Sequence, residues 1–176
     1  LEEYRFDGLR LDAVDQIRDP SAVHLLNDIA RAVRERITDR RVHLTTEDDR
    51  NIVSLHGRDA SGIPELFTAE WNDDFHHVVH AMATGESDGY YADYHSDCAR
   101  HLCRTLTEGY VYQGEPSPFR EGETRGEPSS GLPPAAFVNF LQNHDQIGNR
   151  AFGERLSTLI GAEELEVLTA LLLLSP

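Results

Sequence analysis

An arginine and an aspartate fall two residues apart in Phe6-Asp7-Gly8-Leu9-Arg10-Leu11-Asp12-Ala13-Val14. In an extended strand successive side chains alternate faces, so Arg10 and Asp12 point one way while Leu9 and Leu11 point the other. A guanidinium that close favours the ionised form of the carboxylate. If this is a buried parallel strand leading into a helix, Asp12 stands at a C-terminal strand end, where barrel active sites are assembled. An edge strand with a solvated ion pair is the alternative from these nine residues. Two more acids repeat the device. Glu47 ends Val42-His43-Leu44-Thr45-Thr46-Glu47, in which Val42 and Leu44 share one face and His43, Thr45 and Glu47 the other. Asp145 follows Phe137-Val138-Asn139-Phe140-Leu141 through Gln142-Asn143-His144. Three such acids, with Arg10 and His144 alongside, suit cleavage of a glycosidic bond. A retaining glycosidase needs one carboxylate as nucleophile and one carboxylic acid to protonate the leaving oxygen. Asp12 has Arg10 beside it, whereas Glu47 has no cation in its own strand, although Arg50 is near in sequence. Opposite environments assign opposite roles.

The elements that must position these groups alternate. After the first strand, Pro20 and Ser21 open a predicted helix with Asp19 as its start signal, and Val23, Leu26, Ala30, Val33 and Ile37 recur as one apolar stripe. The strand at 42–47 follows, and strand–helix–strand in under fifty residues is a βαβ unit of a parallel sheet. Leu66–Trp71 is a third strand candidate. Asn72-Asp73-Asp74 caps a helix carrying Phe75, Val78, Val79 and Met82, closed by Thr84-Gly85. A further helix is expected from about His95 to Glu108. Residues 111–134 are rich in Gly, Pro, Ser and Glu without a period, which predicts a long functional or disordered loop. Phe137–Leu141 is the fourth strand, and a closing helix spans about Glu163 to Leu174. The fold class is α/β.

Composition removes other classes. Sixteen Lys and Arg against thirty-one Asp and Glu give a net charge of −15 over 176 residues. Nucleic acid and anionic membrane both need cationic surface, so neither is an expected partner. Cys98 and Cys103 are too few for a disulfide scaffold or a zinc cage. The apolar run from Leu168 to Leu174 is far too short to span a bilayer. The expected location is cytoplasmic. A chain that opens almost inside a strand and stops after an apolar run reads as an excerpt of a longer polypeptide.

Gly8-Leu9-Arg10-Leu11-Asp12-Ala13 resembles the segment of the α-amylase superfamily that carries the nucleophile on its fourth barrel strand. Glu47 is similar in place to the acid after the fifth strand, and Asn143-His144-Asp145 to the segment after the seventh. The resemblance implies a (β/α)8 TIM barrel, present here as a partial barrel missing the first three strands and strand eight, with residues 1–176 all part of one catalytic domain and 111–134 a loop inside it. It implies retaining chemistry on α-linked glucose and no organic cofactor, with Asp12 as nucleophile, Glu47 as acid/base and Asp145 as the third carboxylate. Arg10 and His144 would support the site. Ala69-Glu70-Trp71-Asn72-Asp73-Asp74-Phe75-His76-His77, Tyr112–Pro118 and Phe140–Arg150 look like the malto-oligosyltrehalose trehalohydrolases, whose substrate is malto-oligosyltrehalose, a relative of the α-1,4-glucans. The likeness adds Trp71, Asp74, His76 and Gln146 as expected sugar contacts. Branching enzymes of α-1,4-glucan share the architecture and part of the Trp-Asn pattern, and a non-catalytic glucan-binding barrel is a further alternative that the three acids argue against.

Other motifs have plainer readings. His76 and His80 have the spacing of a zinc pair, but the Glu of a metalloprotease motif is absent between them. Asp73 and Asp74 suit the helix dipole. Tyr90, Tyr91 and Tyr94 read as packing aromatics, and 121–127 as a solvated loop.

Overall fold

A computed structural model describes all 176 residues. Four parallel strands form the sheet in the order of the chain. They are β1 (Gly8–Leu11), β2 (His43–Thr46), β3 (Ala69–Trp71) and, after an antiparallel hairpin of β4 (Glu115–Pro116) and β5 (Thr124–Arg125), β6 (Phe137–Val138). The main helices are α1 (Leu25–Arg36), α2 (Asp73–Thr84), α3 (Cys98–Glu108), α4 (His144–Gly148), α5 (Leu156–Leu159) and α6 (Ala162–Leu174). Right-handed crossovers between strands that succeed one another in sequence order place every connection on one face of a parallel sheet. The opposite face, with Arg10, Thr45 and Trp71, stays free of helices.

The register explains Gly8. Gly8 pairs with His43, and a Cβ on residue 8 would lie 2.6 Å from the His43 carbonyl oxygen. Without one, the strands close up and Leu9, Arg10 and Leu11 meet Leu44, Thr45 and Thr46. Asp12 and Glu47 then leave the sheet side by side. On the helix face Val14, Leu26, Ala30, Val42, Leu44, Leu55 and Phe67 form one buried cluster. Leu55 and Phe67 come from the connection between β2 and β3, which contains no helix and covers its strands with these two side chains instead.

Most expected elements are present with shorter bounds. α1 begins at Leu25 rather than near Ser21, because the Asp19 carboxylate accepts from the amides of both Ser21 (3.0 Å) and Leu25 (2.6 Å) and so holds 19–24 in a turn. α2 runs as expected: the Asn72 side chain accepts from the Phe75 amide, and Gly85 closes it at φ 73. α3 starts at Cys98 rather than His95, since Asp97 at φ 60 breaks the path from the preceding 3-10 turn at Gly89–Asp93. The expected long loop at 111–134 is ordered. The segment holds the β4–β5 hairpin and buries Ser117, Arg125 and Ser129, because its polar residues bond inward rather than to solvent.

At the two sides of the sheet, β1 and β6 each have a single neighbour. Leu9 is exposed beside the β1 edge, and Leu173 and Leu174 project from α6. Open, apolar parallel edges template aggregation. The 176 residues expressed by themselves should therefore elute as aggregate in gel filtration and lack a cooperative near-ultraviolet melt; a monodisperse, cooperatively melting monomer would contradict this.

Candidate active site

Asp12, Glu47 and Asp145 converge at the C-terminal edge of the sheet. Arg10 reaches from β1 to Asp12, its guanidinium in contact with Oδ1, and lies 4.7 Å above the ring of Trp71 at the end of β3. Trp71 itself packs on Phe140, with ring centroids 5.1 Å apart. A cation on an indole face is held in place by the ring's quadrupole, so Trp71 fixes the arginine that faces Asp12. His144, at the start of α4, has Nε2 3.2 Å from Asp145 Oδ1 and 3.9 Å from Asp12 Oδ1, bridging the first and third acids. Asp12 is 57% exposed, open to a ligand.

Glu47 sits in a different environment. Its Oε2 accepts from the Ala13 amide at 2.6 Å. Burial raises its pKa above the ordinary carboxylate value, as do the charges of Asp12 and Asp145, against the opposing pull of the Ala13 N–H and of Arg10. Arg50, the nearby cation in sequence, is occupied elsewhere: its Nε and guanidinium nitrogen bond both oxygens of Asp48, at 2.8 and 2.5 Å. Glu47 is thus left without a cation of its own and retains its proton to higher pH than a free glutamate.

A cleft of about 160 Å³ opens beside these acids, lined by Glu47, Asp145, Gln146 and, from the loops and α2, Asp73, His77, Tyr90, Arg120 and Arg125. Gln146 is held by the cap of α4, its Oε1 accepting from the Asn143 amide at 2.9 Å. Asp73 was expected only as a helix-start acid. Burial, with the charge of Glu47 next in importance, pushes it up to about 7. Only the turn from β3 into α2 brings it to the cleft, and no spacing signal marks that. His77 is buried, its Nδ1 unpartnered, and burial holds it neutral.

Two expected sugar contacts are corrected. Asp74 is fully buried: Oδ2 accepts from Asn51 Nδ2 (2.8 Å) and from the amides of Val111 (2.6 Å) and Tyr112 (3.1 Å), while Oδ1 meets the Tyr94 hydroxyl and Arg125 (3.2 Å). Every lone pair is used inside the protein. His76 is buried too, bonded to the Leu141 carbonyl oxygen and the Tyr91 hydroxyl and stacked on Phe140. His80 Nε2 meets Glu86 at 2.8 Å, so the two histidines of the zinc-like spacing have separate protein partners. Tyr94 packs against Tyr112 and residues 121–124 are exposed, as expected, while Arg125 is buried. Arg125 and the Tyr94 hydroxyl belong to the Asp74 cluster, which fastens the β4–β5 hairpin against α2.

No protein-family model matches the chain. A malto-oligosyltrehalose trehalohydrolase of Rhizobium sp. (strain M-11) is 41% identical over 182 residues, and those of Saccharolobus solfataricus and Mycobacterium tuberculosis are 38% and 39% identical over 177 and 179. The resemblance to the malto-oligosyltrehalose trehalohydrolases runs the full length of the chain. The chain spans about 30% of the length of each of these relatives. Among solved structures, a Salmonella typhimurium protein provisionally named an alpha amylase superposes with a TM-score of 0.97 at 62% identity, over 99% of this chain and 30% of that one. That likeness and the parallel sheet with its helices fit an α/β fold of the α-amylase kind.

The cluster around Asp74 yields a stability test. Removing one member of a buried pair leaves the other charge uncompensated, at about 3–5 kcal/mol. In the whole protein, Arg125→Met should cost about 3 kcal/mol in urea unfolding, while Tyr94→Phe, which removes one hydrogen bond, should cost about 1 kcal/mol.

Proposed function

We propose that the whole protein is a retaining α-glucosidic hydrolase that releases trehalose from malto-oligosyltrehalose by cutting the adjacent α-1,4 bond. The chain contributes strands four to seven of a (β/α)8 barrel, with 111–134 as an insertion inside that single domain. The observation that carries this reading is the meeting of three acids at parallel strand ends, Asp12 paired with Arg10, Glu47 with no ion pair of its own, and Asp145 linked to Asp12 through His144. The strands' sequence order in an all-parallel sheet supports the barrel. The matched relatives support the substrate.

In this reading an Asp12 carboxylate oxygen attacks C1 of the sugar while the C1–O bond breaks and the Glu47 proton moves to the departing oxygen. Water then attacks C1, Glu47 takes its proton, and the Asp12–C1 ester bond breaks. Asp145, His144 and Arg10 hold the reacting sugar, and Gln146 lines the adjoining cleft. The chemistry needs no organic cofactor. A net charge of −15 supports a neutral glucan over nucleic acid or an anionic membrane as partner, and no helix is long and apolar enough to cross a membrane. We place the reaction in the cytoplasm.

Glu47 must be protonated to act as acid, so activity should fall on the alkaline side as pH rises through its raised pKa, later than an ordinary glutamate would allow. Two substitutions in the whole protein test the roles. Asp12→Asn should keep the fold and lower turnover by several orders of magnitude. Near-normal turnover in a well-folded variant would remove Asp12 as nucleophile. Glu47→Gln should harm malto-oligosyltrehalose far more than a glycosyl fluoride, which departs without a proton; equal losses would give Glu47 a structural role.

Substrate specificity has its own test. Chromatography of the products should show free trehalose from malto-oligosyltrehalose and almost no reaction with maltotetraose, whereas new α-1,6 branches on amylose would identify a branching enzyme instead.

A further inference from the structure

The residue after the proposed nucleophile has an unusual backbone. Ala13 lies at φ 46 and ψ 47, the left-handed region that residues with a Cβ rarely occupy. Such outliers persist only where the surrounding structure over-determines them, and they concentrate at functional sites. Here the surroundings are Glu47 itself. The Ala13 amide donates to Glu47 Oε2 at 2.6 Å, the Val14 amide donates to the Glu47 carbonyl oxygen at 3.0 Å, and the Glu47 amide donates to the Leu11 carbonyl oxygen at 2.9 Å. The chain from Leu11 to Val14 therefore grips both the backbone and the side chain of Glu47.

We propose that the backbone amide of Ala13 is a positioning group for Glu47, holding Oε2 so that Oε1 is the oxygen that delivers and recovers the proton. An oxygen accepting from an N–H has that lone pair engaged, and in a carboxylic acid the accepting oxygen is the carbonyl one, which leaves the hydroxyl on the other oxygen. The amide belongs to the residue next to Asp12, so the spacing of acid and nucleophile is set by one peptide unit rather than by two independent loops. It is also the one neutral donor among the charges that face Glu47: Asp12 and Arg10 from the first strand, Asp145 from α4 and Asp73 from α2. The three acids favour the protonated form, and the amide and Arg10 oppose them. The inference rests on Glu47 as the acid/base.

Two measurements on the whole protein test it. Replacing Ala13 by lactic acid through nonsense suppression turns the amide N–H into an ester oxygen without changing the side chain. The alkaline limb of kcat/KM on malto-oligosyltrehalose should move up by about one pH unit and kcat should fall at least tenfold, with KM little changed. A folded ester protein with an unmoved limb overturns the proposal. The second measurement leaves the protein intact. With 15N-alanine labelling, the Ala13 amide proton should resonate far downfield and titrate in one step that matches the alkaline limb, and Glu47→Gln should abolish the step. An ordinary, non-titrating amide in a protein that Glu47→Gln inactivates overturns the positioning role alone. A Glu47→Gln protein that keeps full activity overturns the acid/base reading, and the positioning role with it.

Discussion

The pairing of β1 with β2 is the constraint on which the site depends. A parallel register moves in whole residues, and a slip of one would turn Asp12 or Glu47 to the helix face. Gly8 allows that register by letting the His43 carbonyl approach where a Cβ would stand. The Thr46 hydroxyl extends the same alignment to β3, donating to Glu70 at 2.6 Å on the helix side of the sheet. His56 lies 3.0 Å from that hydroxyl. This buried trio, in which burial raises the Glu70 pKa well above the ordinary carboxylate value and lowers that of His56 to about 4, ties β2 and β3 together where their connection has no helix.

A second polar knot governs the other side of the cleft. Asp74 gathers the β2–β3 connection through Asn51, the chain at 111–112 through two amides, and the hairpin through Arg125. Asp93 adds the hairpin tip, accepting from Ser117 Oγ at 2.6 Å and from the Phe119 amide at 2.8 Å. Buried carboxylates with every lone pair used rigidify what they join. A Gly- and Pro-rich segment thereby becomes a fixed wall of the cleft. At the cleft, Asp74 is saturated with donors and helps to build its wall, whereas Glu47 and Asp73 open onto it with few partners.

Much of this was legible in the residues. The alternation around Arg10 and Asp12, the polar face ending in Glu47 and the Asn143-His144-Asp145 run are local patterns, and strand alternation is a local property. Helices α1 and α2 follow from apolar spacing and, for α2, from the caps Asn72 and Gly85, while α6 follows from its apolar run. The contrast between Asp12 and Glu47 was legible too, since a charge two residues away on a strand is a neighbour in any fold.

Asp74, His76, Asp73 and Arg125 were not legible in this way. Asp73 and Asp74 are adjacent acids with the same sequence context, yet one opens on the cleft and the other has five donors. The difference is a rotation of about 100° around one helix, and its consequence depends on residues as far away as Arg125. Similarly, a Glu- and Gly-rich stretch carries no sign that its one buried arginine has a carboxylate waiting beneath it. Sequence by itself determined which residues could do chemistry, their order along the chain and the faces of the strands that carry them, because those follow from short-range geometry. Only the tertiary structure decided which acids stay free to meet a ligand, because that depends on donors brought in from distant segments.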